Sequence, residues 1–374
     1  MKTPLILISA GEPSGEMHAA RLAAALRART GAHIFGLGGP RMREAGVELL
    51  ADSSQVAVVG ISEVVRRLPS VWKVYRQLAD EAARRKPDLA ILVDFPDFNL
   101  RLARRLHQQG VRIVYFISPQ VWAWRPERVQ LIRRLVVRVL CIFPFEEEFY
   151  RRVGVPVNFV GHPLVDAVQP KMTREQFAER YHLDANEPIV ALLPGSRAGE
   201  ISHNLPGMLE ACHQLERERE YQFVLAAAPG ITEKHLLDHA RYDVKLHIVE
   251  GATYDALAAA DCAIVSSGTA TVEAALLGAP MVVVYRVSAT TAFIARRLVR
   301  TPFFSMVNLI AGRRVAPELI QEAFTPEAVA REAKRLLTSA EARETMRQDL
   351  AEVKTKLGAG GAIEKAAGII AGML

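Results

Sequence analysis

The strongest constraint on this chain is the regular alternation of short, nearly unbroken apolar runs with helix-like segments. LILIS at 5–9, HIFGLG at 33–38, LAILVDF at 89–95, RIVYFIS at 112–118, RVLCIF at 138–143 and VNFVG at 157–161 punctuate the first half. Strands this apolar on both faces must be covered on both, which predicts parallel sheets sandwiched between helices. Segments such as HAARLAAALRART and FNLRLARRLHQQG supply those helices. A second set, PIVALLPG, QFVLAAAP, KLHIVEG, CAIVSSG and PMVVVYR, follows a charged linker around Gln169–Asn186. From about Pro326 the pattern becomes helical and rich in Glu, Lys, Arg and Ala.

At 374 residues the chain is too long for one ordinary core and fits two domains. The expected fold is α/β, with two Rossmann-like parallel-sheet domains facing across a cleft. With 50% hydrophobic and 24% charged residues, the composition is that of a well-packed soluble protein. The cysteines Cys141, Cys212 and Cys262 have no CxxC spacing, which argues for a reducing compartment and against a structural zinc. The start MKTPLILISAGE lacks a signal-peptide h-region, and no stretch approaches the roughly 18–20 apolar residues of a membrane span, so a cytosolic protein is expected. The net charge of +6 is uneven: nine arginines and one acidic residue, Glu127, lie between Arg101 and Arg138. Solvated helix faces account for this, and so does an electropositive surface for anionic ligands or acidic lipid headgroups. No nucleic-acid module accompanies the charge, so nucleic acid ranks last as a partner.

In parallel α/β sheets ligands bind beyond the carboxyl ends of the strands. Six unusual loops sit at such ends: SAGEPSGE, DFPDFN, ISPQVWAW, GHPLVD, LPGSRAGE and SSGTATVE. The first is not the GxGxxG of a dinucleotide fold. It reads instead as a first-domain wall where the backbone could approach a sugar or acceptor phosphate, with Glu12, Ser14, Gly15 and Glu16 as candidates. Ser14 would also serve to cap the next helix, and Glu16 is equally a first-turn helix charge. LPGSRAGEI at 193–201 combines glycines with Arg197 at a helix start, a phosphate-binding pattern that is not a P-loop. In SSGTATVE, Ser267, Gly268 and Thr269 open a helix, and Glu273 lies one turn in, where it can hold the hydroxyls of a ribose. A simple strand–helix turn explains the first loop alone and plain helix capping the second, whereas the pair points to a nucleotide sugar. In DFPDFN, two aspartates three apart offer a general base, and Asp97 and Asn99 can also cap the helix. Neither a DxD pair nor a histidine cluster is nearby, so no metal is expected. Trp122, Trp124 and Arg125 suit a sugar ring or an acyl–water boundary, and equally core packing. His162 in GHPLVD is structural or functional. The amphipathic stretch 61–78 sets Val64, Val65, Leu68, Val71, Trp72 and Tyr75 among Arg66, Arg67, Lys73 and Arg76. That is the make-up of an interfacial helix, or of one whose apolar side is buried.

SAGEPSGE, GLGGPRM, VVGISEVV, DFPDFN, SPQVWAWR, FPFEEEFY, FVGHPLVD, LPGSRAGE, SSGTATVE and NLIAGR occur in this order along nearly the whole chain. In this combination the sequence closely resembles the lipid-A-disaccharide synthases. The resemblance implies a GT-B glycosyltransferase, inverting and independent of metal or other cofactor. It would join UDP-2,3-diacylglucosamine to 2,3-diacylglucosamine 1-phosphate, forming a β-1,6 disaccharide and releasing UDP in lipid A biosynthesis. It assigns the general base to Asp97. UDP contacts fall to Arg197, Ser267, Gly268 and Thr269, the ribose to Glu273, and a place near the nucleotide to Asn308. It further implies 1–168 as an acceptor-binding, membrane-docking domain and 169–345 as the UDP-sugar domain, with 346–374 returning to the first. Also implied are a lipid monophosphate acceptor, a peripheral location on the cytoplasmic side of a Gram-negative inner membrane, and room for a homodimer, since some members form swapped dimers. The opening turn departs slightly, with Pro13 and Glu16 where many relatives carry a small residue and Asp.

Three other readings compete. A UDP-N-acetylglucosamine 2-epimerase would share the architecture and the nucleotide half but needs no lipid acceptor. A nicotinamide oxidoreductase would need GxGxxG at the first helix, and the nearest glycine cluster, GLGGP at 36–40, follows the second strand and ends in proline. A non-catalytic UDP-sugar or lipid-binding protein would need no general base.

Overall fold

The computed structural model describes residues 3–56, 61–124, 128–228, 244–288, 292 and 301–374, except the side chains of 13, 61–68, 123 and 124. The chain packs as two compact units, one of residues 1–163 with 358–374 and one of 164–357.

The first unit holds a seven-stranded sheet: β1 (Leu5–Ala10), β2 (His33–Gly38), β3 (Glu48–Asp52), β4 (Leu89–Val93), β5 (Ile113–Phe116), β6 (Arg138–Cys141) and β7 (Val157–Phe159). Its order is β3-β2-β1-β4-β5-β6-β7, and every pairing is parallel. The second unit holds six strands: β8 (Ile189–Leu193), β9 (Gln222–Ala227), β10 (Leu246–Glu250), β11 (Cys262–Ser266), β12 (Met281–Tyr285) and β13 (Glu318–Ile320). Their order, β10-β9-β8-β11-β12-β13, repeats the same winding, again all parallel. Strand order therefore reverses between β1 and β4 in one sheet and between β8 and β11 in the other. These are the switch points where crevices open beyond the strand ends.

Burial follows the apolar runs. Ile6, Leu7 and Ile8 of β1, all of β4 and β5, and β8, β11 and most of β12 are buried. Each such leucine or isoleucine contributes about 2 kcal/mol of transfer free energy. Two strands escaped the apolar pattern. β3, ELLAD, is an edge strand with only Ala51 buried, and β13, ELI, is a three-residue edge.

The boundaries differ from those expected. The first falls at Pro163/Leu164 rather than after 168, and the second at Leu357/Gly358 rather than after 345. The reason is packing: the helix Ala340–Lys356 lies on the helices Thr269–Leu276 and Met306–Ala311 of the second unit. Only the helix Ala362–Ala371 joins the first, against the helix Pro13–Thr30. There Arg29 pairs with Glu364 at 3.2 Å, and Lys365 Nζ donates to the Phe159 carbonyl at 2.7 Å.

Candidate functional site

At the first switch point β1 leaves the sheet through Gly11. A Cβ there would stand 2.3 Å from the Phe95 ring, so the turn needs a glycine because that ring crosses it. The helix that follows is capped at Glu12, in extended conformation and without a side-chain cap bond. Ser14 is therefore not the cap. Pro13, lacking an N–H, takes the first helical position and places the exposed Ser14 inside the first turn. Gly15 is buried beside the end of β4, where a Cβ would make only ordinary contact with Asp94 Cβ at 3.6 Å. Glu16 is buried and committed to the protein: its Oε1 accepts the Arg41 amide at 2.9 Å, at the start of the helix Pro40–Glu44.

The neighbouring strand ends carry strain. Asp94 and Phe95 after β4, and Ile117 after β5, are non-glycine residues in the left-handed region, with φ of 46°, 50° and 56°. Each costs about 1–3 kcal/mol and persists only where surroundings impose it. At Asp94 the fully buried Asn99 holds it. Its Nδ2 donates to the carbonyls of Asp94 at 2.8 Å and Val93 at 3.1 Å, and its Oδ1 accepts from Ser9 Oγ at 2.7 Å. Tyr115 Oη also donates to the Asp94 carbonyl at 2.8 Å. Burial, reinforced by the nearby Glu12 carboxylate and partly offset by the Phe95 amide, pushes the Asp94 carboxyl up to about 6. A carboxylate so raised is ionised at neutral pH yet takes up a proton readily, which suits a general base.

Asp97 has a different setting. It lies in the first turn of the helix Pro96–Gln108, largely exposed, with its carboxylate held by Arg128. DFPDFN thus sets two carboxylates in different surroundings, a partly buried Asp94 and an exposed, Arg128-paired Asp97.

The other first-unit candidates divide. Trp122 Nε1 donates at 3.1 Å to Glu146, a buried carboxylate that burial pushes up to about 7, and the indole packs edge-on against Phe145. The Trp124 side chain and Arg125 lie outside the described residues. His162 is buried against Phe143, and burial together with His18 lowers it to about 3, so it is a neutral imidazole within the fold. On the helix Ile61–Arg85 the side chains of Val64, Val65, Arg66, Arg67 and Leu68 lie outside the described residues. Beyond them, Val71 and Tyr75 pack partly on the core. Trp72 is half exposed, stacked on Tyr75 at 4.9 Å under the Arg76 guanidinium, with Lys73 exposed alongside.

In the second unit the loops after β8 and β11 flank the switch point. Gly195, at φ 131°, passes under Glu200 so closely that a Cβ would stand 2.6 Å from Glu200 Cβ. Arg197 is exposed at the start of the helix Ala198–Glu216, 3.1 Å from Glu200 Oε1, while Glu200 Oε2 accepts the Ser196 amide at 3.0 Å. After β11, Gly268 at φ 147° precedes the helix Thr269–Leu276, whose first amides face outward as helix starts do. Ser267 Oγ donates to the Phe304 carbonyl at 3.4 Å, and Thr269 is exposed. Glu273, raised by burial, accepts from Tyr254 Oη at 3.2 Å. Arg197 and the helix starts can hold an anion, with Glu273 as an acceptor for hydroxyls.

Asn308 does not belong to that surface. It is fully buried: Nδ2 donates to the Ala316 carbonyl and to Glu318, and Oδ1 accepts the amides of Val315 and Ala316. Its side-chain amide is fully used on the loop it stitches. Among the described residues no cluster of three or more His, Cys, Asp or Glu side chains could hold a metal ion, and no helix is long and apolar enough to cross a membrane.

The sequence offered both aspartates of DFPDFN as a base without separating them. It read Asn99 as a cap, whereas the helix is capped at Phe95 and Asn99 is buried. Asn204 and Tyr254 carried no signal.

The sequence profile of a family described as "Lipid-A-disaccharide synthetase" matches residues 6–370. The chain is 48% identical to the lipid-A-disaccharide synthase of Myxococcus xanthus, covering 97% of this chain and 96% of that one. It is 50% identical to that of Acidobacterium capsulatum, with 95% and 92% covered. Among solved structures, the fold resembles a UDP-GlcNAc 2-epimerase from Neisseria meningitidis bound to UDP-GlcNAc, with TM-score 0.65, 14% identity and 99% of each chain covered. It also resembles the glycotransferase of kitacinnamycin, with TM-score 0.64, 16% identity and both chains wholly covered. At such identities the structural likenesses speak to fold alone.

Proposed function

This chain belongs to the lipid-A-disaccharide synthase family and is a GT-B glycosyltransferase, and on that premise we propose how its two strand edges divide the reaction. The second unit takes the donor, UDP-2,3-diacylglucosamine. Arg197 and the helix starts after Gly195 and Gly268 face the diphosphate, Ser267 and Thr269 line the nucleotide, and Glu273 accepts the ribose hydroxyls. The first unit supplies the base for the acceptor, 2,3-diacylglucosamine 1-phosphate.

In the chemical step Asp94 takes the proton of the acceptor's 6-hydroxyl as that oxygen attacks the anomeric carbon of the donor. The bond from the anomeric carbon to the diphosphate breaks, its electron pair leaves with UDP, and configuration inverts to β. An oxocarbenium-like transition state places growing negative charge on the leaving diphosphate. A fixed guanidinium and helix N-termini stabilise that charge without reorganising. Glu12 stands beside Asp94 and keeps its carboxyl high enough to receive the proton.

The observation that carries this reading is the partly buried, raised Asp94 in left-handed backbone at the first switch point. The epimerase reading rests only on distant fold likeness. The exposed Trp72 beside Lys73 and Arg76 supports docking on an anionic membrane surface, from which both diacylated substrates are drawn.

The test is UDP release from UDP-diacylglucosamine by the purified chain. Release that requires the lipid monophosphate and yields the disaccharide is expected. Turnover of UDP-N-acetylglucosamine to its 2-epimer, with no use of the lipid acceptor, would contradict it.

A further inference from the structure

The helix Ala198–Glu216 carries an amide that no motif singled out. Asn204 is fully buried two turns in. Its Nδ2 donates to the Pro194 carbonyl at 3.0 Å and to Ser266 Oγ at 3.1 Å, and its Oδ1 accepts the Arg286 amide at 2.9 Å. Pro194 follows β8, Ser266 ends β11 and Arg286 follows β12, three strands adjacent in the sheet. One side chain therefore joins the carboxyl ends of all three, across the switch point.

We propose that Asn204 is a positioning residue for the nucleotide site, fixing the loops after β8, β11 and β12 in their binding arrangement before UDP arrives. This rests on the nucleotide reading given above. The atoms it grips adjoin the residues that reading uses. The Pro194 carbonyl precedes Gly195, two residues before Arg197, and Ser266 precedes Ser267 and Gly268. Both glycines hold positive φ that ordinary residues avoid, so these loops have no strong conformational preference of their own. Without the amide, binding must order them, and that cost comes out of affinity. A buried donor left unmade adds a further penalty. The effect should fall on binding and spare the chemical step, because Asn204 touches neither the base nor the reacting atoms.

The test is calorimetric titration of UDP into the full chain, parent against Asn204→Ala and Ser266→Ala, with thermal melts to show that each is folded. Asn204→Ala is expected to weaken UDP about tenfold to a hundredfold, the loss of one or two buried bonds. Ser266→Ala, which cuts one tie and leaves the asparagine in place, should weaken it by a smaller factor. In turnover assays the donor KM of Asn204→Ala should rise with kcat nearly kept at saturation, whereas general loss of folded protein would lower kcat instead. UDP affinity within twofold of the parent in folded Asn204→Ala overturns the proposal. If that variant does not fold, unchanged affinity in Ser266→Ala overturns it. A parent chain that binds no UDP would instead overturn the nucleotide reading.

Discussion

The two switch points are built on one plan and made of different materials. At each, a buried asparagine from the helix after a central strand ties neighbouring strand ends together: Asn99 joins β1 to β4, and Asn204 joins β8, β11 and β12. In the first unit the left-handed positions at the edge are Asp94, Phe95 and Ile117, which resist that conformation. In the second, at the ends of β8 and β11, they are Gly195 and Gly268, which adopt it readily. The difference separates two tasks. An edge meant to let a ligand approach the backbone uses glycine, whereas an edge meant to hold a carboxylate in a raised state needs a side chain where the backbone is strained. Asn99 and Tyr115 counter that strain by gripping the Asp94 carbonyl.

The comparison breaks most sharply at Asp94. Asp94→Asn is expected to lower turnover at least ~100-fold, the usual worth of a general base. Asp97→Asn should cost no more than about threefold, as for an exposed ion pair. The reverse ranking would return the base to Asp97. The same Asp94→Asn substitution should raise stability. Between the ordinary carboxyl range and about 6 the folded chain keeps a proton that the unfolded chain has lost, so stability falls as pH rises through that window. Above it the buried charge is a standing cost, and removing it should gain about 1–3 kcal/mol in a neutral or mildly alkaline melt. A less active and more stable variant is the signature of a desolvated charge kept for function.

The second edge gives a smaller effect of another kind. Arg197→Ala should weaken UDP about tenfold to a hundredfold in a binding titration, the range of a charged hydrogen bond. Unchanged affinity would take Arg197 out of the diphosphate site.

Much of this was legible in the chain. Apolar runs such as LAILV and CAIVS mark strands because burial on both faces leaves no other choice, and the loops at their ends name the edges where ligands bind. Legibility failed where an outcome depends on partners distant in sequence. Asp94 and Asp97 look alike within DFPDFN, and only the approach of Glu12 and the stitch from Asn99 separate them. Asn308 and Glu16 are polar residues in loop motifs, which reads as exposure; in the fold their hydrogen bonds go to Val315, Ala316 and Glu318, and to Arg41. β3 and β13 are edge strands with too few buried positions to show an apolar run.

The central claim, that Asp94 with Glu12 beside it forms the base, is tested most directly by the pH dependence of kcat/KM for the acceptor. The measurement would run from about pH 4 to 9 on the parent, Glu12→Gln and Asp97→Asn chains. In the parent, kcat/KM should climb with pH and level off above about 6, where Asp94 becomes ionised. Glu12→Gln should move that limb to lower pH, because a negative neighbour that holds the carboxyl up is gone, while Asp97→Asn leaves it in place. A limb that ignores Glu12→Gln and vanishes in Asp97→Asn would contradict the account.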